Sequence, residues 1–546
     1  MRSRFSTSII VCVLALGPAS AQAQGQDAAD AATRLAQLEQ KVASLTTTPA
    51  AVAPGDAAAT LDRLERAVNE LSKAPENQQP TPATASTAEL ERRIKELEAR
   101  IDALMKEREA PKARLMNNEE QEREMEPVGL TGFYDNGYLV ASSANGDFKY
   151  WLDGRVNLDA ATYSGADNRL PTGFEVRRAR IGLKATLFRT WLAEIDMDIA
   201  DNLVEMKDMW MGYAGFENSL IRVGNHKAPF GLETLTSSKN ITFIERPYID
   251  AWAPDRLMGL SYSRWGRHYQ FSGGIFGQAA GDFNDKDSLT GGGAGTSQGY
   301  SFVGRATVAP LNEKGRVFHV GAAAAWRKPD AAKIATSGAD LPDRLNASRI
   351  VKLDSRAETH VSRAKFLSTG DMKYVDNTTQ LGVEVAGVFG PVNVQGEYQT
   401  TKVNRLSTPV ATYADHSFSG YYGQVSWFLT GERRPYSVSE GEFGRVIPKK
   451  PFGAVELAVR FSTLDLDDET SVDPIRGGAA TNLAGGLTWF VNANHRFMFN
   501  VTRVDNNKWA KPGKDWAPIP AGTSTSQTVI LGDDFVTFAV RYQLAF

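Results

Sequence analysis

The chain ends on DFVTFAVRYQLAF, Asp534 to Phe546, in which Val536, Phe538, Val540, Tyr542, Leu544 and Phe546 share one parity while Thr537, Ala539, Arg541 and Gln543 share the other. A period of two is the signature of a strand with one apolar and one polar face. The same alternation recurs upstream. In YWLDGRVNLD, Tyr150 to Asp159, one parity carries Tyr, Leu, Gly, Val and Leu and the other Trp, Asp, Arg, Asn and Asp. Trp191, Ala193, Ile195, Met197 and Ile199 oppose Glu194, Asp196 and Asp198, and similar segments lie at 381–389, 392–399 and 454–462. About sixteen such segments fit between residue 150 and the end.

Connections between the segments also alternate. Phe188-Arg189-Thr190, Trp265-Gly266-Arg267, Gly390-Pro391 and Asn492-Ala493-Asn494 are short, whereas 277–299 and 328–377 are long and polar. Thr430 to Lys450 departs from the rule, being long on the short side. Short turns at one rim and long loops at the other, with an even strand number, describe an outer-membrane barrel. A soluble β-sandwich would account for alternation alone. Lipid cannot satisfy an open sheet edge, so a membrane sheet must close and its polar parity then lines a lumen.

Composition agrees with a strand-built membrane protein. Hydrophobic residues make up 42% of 546, and no internal run approaches the ~18 apolar residues a helical span requires. Arg2 and Arg4, the apolar run Ile9 to Leu16 and the small residues before Ala21 and Ala23 predict a secretory signal over 1–23, cleaved after one of those alanines. Cys12, the single cysteine, falls inside it, so the exported chain would carry neither disulfide nor thiol chemistry.

Residues 24–126 have a helical period instead. Leu35, Leu38, Val42 and Leu45, then Leu61, Leu64, Val68 and Leu71, then Leu90, Ile94, Leu97, Ile101 and Leu104 are spaced by threes and fours. That seam predicts an α-helical coiled coil, interrupted by proline-rich linkers and able to self-associate. A disordered leader with three weakly helical patches is the alternative. The segment holds 14 Lys and Arg against 20 Asp and Glu, net −6, and residues 127–546 hold 45 against 44, net +1. Neither part is the polybasic surface of a nucleic-acid binder.

Parity assigns side chains to the lumen. Through 174–188 it turns Arg178, Arg180, Lys184 and Thr186 inward; Arg155 and Arg222 join them on nearby strands. Clustered cations in a narrow lumen raise the local anion concentration. Glu194, Asp196 and Asp198 on the next strand supply the other reading, in which these charges simply pair across the wall.

After the fifth segment the chain reads KAPFGLETLTSSKNITFIERP, Lys227 to Pro247, a long connection with aliphatic side chains that should pack against protein. With RRARIGLKATLFRTWLAEIDMDIADN at 177–202 and YYGQVSWFLTGERRPY at 421–436, it resembles the phosphate-selective porin O and P family over roughly residues 128–546. The resemblance implies a 16-stranded antiparallel transmembrane β-barrel, trimeric, in the outer membrane, with an inward constriction loop at about 227–250. It implies that Lys227, Ser237, Ser238, Lys239 and Arg246 donate hydrogen bonds to an anion such as phosphate, and that Arg155, Arg178, Arg180 and Arg222 act as a ladder. Arg246 could instead pair with Glu245 or Glu233, and Ser237-Ser238 could cap a short helix. A terminal aromatic such as Phe546 resembles the signal read by the barrel assembly machinery.

Three functions follow. A passive anion channel uses all of these features, with lipid around it and the coiled coil in the periplasm reaching toward peptidoglycan. A general porin for other solutes is an alternative, as is a structural tether, which would not need the aliphatic inward loop with Lys227, Lys239 and Arg246. An enzyme is disfavoured: His226, His268, His319, His360, His416 and His495 are scattered, with no metal-binding i,i+4 pair, no Gly-flanked serine and no cofactor motif.

Overall fold

The computed structural model describes residues 129–135, 137–280, 298–331, 349–407, 412–469, 472–511 and 531–546, together with Arg92, Lys95, Glu96 and Ala99. The chain divides into two units, Met1–Pro127 and Val128–Phe546. In the first, the four described residues are helical and Arg92 lies 3.9 Å from Glu96, an exposed i,i+4 pair. The expected signal and nearly all of the expected coiled coil lie outside the described residues. No helix among the described residues is long and apolar enough to cross a membrane.

The second unit is a closed barrel. Its strands are β1 (Leu130–Asp135), β2 (Tyr138–Ser143), β3 (Phe148–Ser164), β4 (Gly173–Leu187), β5 (Trp191–Asp198), β6 (Glu205–Tyr213), β7 (Ser219–Lys227), β8 (Arg256–Trp265), β9 (Tyr269–Phe276), β10 (Tyr300–Glu313) and β11 (Arg316–Lys328). A loop hairpin β12 (Asp354–Arg356) and β13 (Lys365–Ser368) precedes β14 (Val375–Phe389), β15 (Val392–Arg405) and β16 (His416–Phe428). The pair β17 (Tyr436–Ser437) and β18 (Glu442–Phe443) precedes β19 (Ala454–Asp468), β20 (Ile475–Phe490), β21 (His495–Asn506) and β22 (Phe535–Ala545).

Eighteen strands form one antiparallel sheet, and the β22 to β3 pairing closes it. The hairpin β1–β2 stands outside that ring. It pairs with β3 only along Lys149–Leu152, below the stretch Arg155–Ser164 that β22 occupies, so sixteen strands make the barrel itself.

Closure depends on the opening motif. Arg541 pairs with Asp159 in register, Phe546 N–H donates to the Gly154 carbonyl at 3.0 Å, and Gly154 N–H returns a bond to Phe546 at 2.9 Å. The Phe546 ring lies where a side chain at 154 would stand: an added Cβ would meet its Cζ at 2.4 Å, which leaves room for glycine only. Phe538 and Val540 are exposed on the outer face while Thr537, Arg541 and Gln543 are buried inside. A belt of such exposed apolar side chains around a closed sheet is a surface made for lipid.

The connections sort by rim. Residues 188–190, 214–218, 266–268, 314–315, 390–391 and 491–494 are turns at one end, and the longer loops are at the other. The exception is again 429–453, whose hairpin β17–β18 turns inward. Gly441 at its tip has φ +62 and its carbonyl accepts from Arg305 on β10 at 2.8 Å, so the tip is held against the barrel interior.

Candidate functional site

The segment between β7 and β8, residues 228–255, crosses the lumen and is bound to the far wall by apolar contacts. Phe230 packs with Phe276, Val303 and Ala323, Leu232 with Val317, Ala386, Val388 and Phe443, and Phe243 with Ala458 and Ala484. Small residues at the inward positions of these strands leave space for the loop. Burying a Phe or Leu side chain contributes roughly 1.5–3 kcal/mol each, so three such anchors fix the loop firmly.

Polar contacts complete the seat. Glu397 accepts from the N–H groups of Leu232 (3.0 Å) and Glu233 (2.7 Å), at the start of the one-turn helix α1 (Leu232–Leu235). Lys227 donates to the carbonyls of Thr234 (2.6 Å) and Leu235 (2.8 Å) at its end. The inward hairpin meets the loop from the opposite side: Arg434 donates to the Asn240 carbonyl and, at 2.7 and 2.9 Å, to Glu456.

What remains open lies between this loop and the wall of β3 to β8, a cavity of about 720 Å³. All ten residues singled out in the sequence line it: Arg155, Arg178, Arg180, Lys184, Arg222, Lys227, Ser237, Ser238, Lys239 and Arg246. Most are paired. Lys184 lies 2.9 Å from Glu194 and 3.3 Å from Asp153, Arg180 is 2.7 Å from Asp198, and Arg155 is 3.7 Å from Asp196. Lys239 donates to Asp153, and Arg155 donates to Ser238. The mixed charge of the wall is thus both a pairing network and a cavity lining.

Two local alternatives are resolved. Arg246 bonds the backbone carbonyl of Glu233 (2.9 Å) and that of Thr236 (2.7 Å), not the Glu233 carboxylate, and its nearest acid is Asp250 at 3.6 Å. Ser238 accepts from Arg155 and caps no helix, since α1 has no side-chain cap.

Charge around the cavity runs in stripes. Strand β4 presents cations, β5 and β6 present Glu194, Asp196 and Asp208, and β7 and β8 present Arg222, Lys227 and Arg256. In total twelve Lys and Arg face nine Asp and Glu. Arg256 and Asp208, joined at 2.7 Å, belong to this lining but were not singled out by parity. Neither was Arg177. Strict alternation points it outward, yet the β3–β4 register slips between Asn157 and Leu158, and this bulge turns Arg177 inward, where it donates to Glu245 at 2.9 Å.

A second, smaller cavity of about 230 Å³ lies on the long-loop side, bounded by β12–β13 and by Asp354, Arg356, Glu358, His360 and Lys365. It shares Arg177, Glu245, Arg246 and Asp250 with the larger one. His360 is hydrogen-bonded to Glu175 at 2.9 Å, and burial lowers its basicity. The two cavities therefore meet at a partition of two arginines and two acids.

A closed sixteen-stranded barrel with an apolar outside, a polar inside and a loop folded into the lumen is the architecture of an outer-membrane β-barrel of the porin type. The family follows from the sequence: the profile of "Phosphate-selective porin O and P" matches residues 151–524, more than half of the chain, which belongs to that family. Porin O of Pseudomonas aeruginosa is 28% identical over 394 residues, covering 65% of this chain and 83% of that protein. An uncharacterized protein of Caulobacter vibrioides is 28% identical over 374 residues, covering 66% of this chain and 69% of its own. Among solved structures, OmpT of Vibrio cholerae aligns at TM-score 0.44 and 9% identity over 73% of this chain and 98% of its own. OmpF of Salmonella typhi aligns at TM-score 0.40 and 13% identity over 76% and 100%.

Proposed function

We propose that the channel passes small inorganic anions, phosphate among them, by passive diffusion. The observation that carries this reading is the cationic excess of the larger cavity, twelve Lys and Arg against nine Asp and Glu beside the inward loop. An anion arriving through the long loops would meet guanidinium and ammonium donors in place of water, and charge-assisted bonds to such donors are strong. The acidic neighbours keep the site from holding it, since conduction needs release as much as capture. The family name and that of Porin O support phosphate as the solute.

The same proposal takes Lys227, Ser237, Ser238, Lys239 and Arg246 as the loop's contribution and Arg155, Arg178, Arg180, Lys184 and Arg222 as the wall's. It extends to a homotrimer, to residues 1–23 as a cleaved signal, to residues 24–126 as a periplasmic coiled coil near peptidoglycan, and to Phe546 as the mark read in barrel assembly. The close pairing of the wall cations favours a second reading, a general porin with little preference among solutes. Chloride current through the purified protein in a planar bilayer, with phosphate then added, separates the two. Concentration-dependent block by phosphate, relieved by K239E or R246E, is expected; current indifferent to phosphate would leave a general pore.

A further inference from the structure

We propose that Glu245 is a resident carboxylate occupying an arginine cage on the solute path, where it competes with permeating oxyanions and so sets how long the channel holds them. This rests on the anion-channel reading above.

Three guanidinium groups converge on this one side chain. Arg177 Nε and Nη2 donate to its two oxygens at 2.9 and 3.2 Å, Arg541 Nη2 donates at 2.8 Å, and Arg178 Nη1 lies 3.6 Å away. That Arg178 nitrogen is buried and has no hydrogen-bond partner among the described residues. Planar forks facing two oxygens of one group are the geometry in which arginine binds a phosphate or carboxylate. The chain has filled that geometry with its own anion.

Position makes the occupancy consequential. Glu245 and Arg177 line both cavities, so the pair stands between the long-loop side and the larger cavity, on the solute's proposed passage. Asp159 takes the other face of Arg541 at 2.7 Å, so three cations face two acids and the cage keeps one uncompensated positive charge. A solute oxyanion can take the Arg177 fork and the spare Arg178 nitrogen while Glu245 stays with Arg541. When Glu245 swings back, the solute is expelled. A tethered competitor of this kind shortens residence and lowers the positive field at the cage by one charge, while the cage as a whole stays cationic.

A latch role, pinning the loop to β4, is the rival explanation, and it predicts a wider pore for ions of either sign. The test is a planar-bilayer measurement on the full-length protein and E245Q, in a KCl gradient with inorganic phosphate added. In E245Q the anion-over-cation permeability ratio should rise, and the phosphate concentration that halves chloride current should fall by about tenfold. E245D keeps the charge but withdraws it from Arg177 by one methylene, and should give a fall of about threefold if E245Q does not assemble. An unchanged half-blocking concentration, or conductance rising equally for both ions, would overturn the proposal. A cation-selective wild type would instead remove the anion-channel reading beneath it.

Discussion

The two walls of the lumen are built on opposite plans. Strands β3 to β8 face the opening with paired charges, while β10, β11, β14, β19 and β20 set apolar positions such as Val303, Ala323, Ala386, Ala458 and Ala484 under the 228–255 loop, between fully buried ion pairs such as Arg305–Glu384 and Arg434–Glu456. One wall is kept wet and charged and the other is used as a bed. The difference shows that a barrel narrows its pore by apolar packing on one side and sets its ion preference by electrostatics on the other. Substitutions on the apolar side should therefore move conductance most, and those on the charged side should move ion preference with little change in conductance.

The largest effect is expected on the bed. Phe230 is fully buried against Phe276, Val303 and Ala323, so F230A should remove about 3–5 kcal/mol from the loop's attachment. Single-channel conductance should rise and ion preference weaken; a pore of native conductance would mean that the apolar wall does not hold the constriction. On the charged wall, K239E would set a second carboxylate beside Asp153, which Lys239 now satisfies. Conductance should change little while the phosphate half-blocking concentration rises by about tenfold. Block of native strength would detach the charged wall from selectivity.

The inward hairpin tests the join between the walls. G441V would force a branched residue into φ +62 with its Cβ 2.6 Å from Arg305 Nη1, a strain of about 1–3 kcal/mol. The thermal transition should drop and current noise increase as the tip loosens; a quiet, native-like channel would show that the tip is not fixed by this contact. The smallest effect is expected outside the lumen. Arg363 bonds Asp201 at 2.5 Å and holds that carboxyl below its usual range, but both are largely exposed, so R363A should shift stability by no more than about 0.5 kcal/mol. Any change in phosphate block there would extend the site beyond the two cavities.

Much of this arrangement was legible in residue order. Period-two segments located the strands, their connections gave the rim, and parity placed Arg155, Arg178, Arg180, Lys184 and Arg222 on one inner face. Arg177 was hidden because a bulge shifts register without leaving a mark in the hydrophobic pattern. Glu245 and Arg541 were visible as charges, but their meeting across 296 positions depends on where the loop folds back, which alternation does not encode. The 429–453 departure stood out by length, and its inward course follows from contacts with Arg305 and Asn240 that only the closed barrel creates. Apolar inner positions of β10, β11 and β14, such as Val303, Ala323 and Ala386, depart from the polar-lumen expectation for the same reason, since the loop and not water covers them, while Arg305, His319 and Glu384 on the same faces keep to it.

The central claim is that paired charges on the β3 to β8 wall still leave an anion-preferring lumen. The reversal potential of the wild-type channel in a KCl gradient measures this most directly. A potential displaced toward the chloride equilibrium value is expected, shrinking as salt is raised and the Debye length shortens. A displacement toward the potassium value would contradict the account.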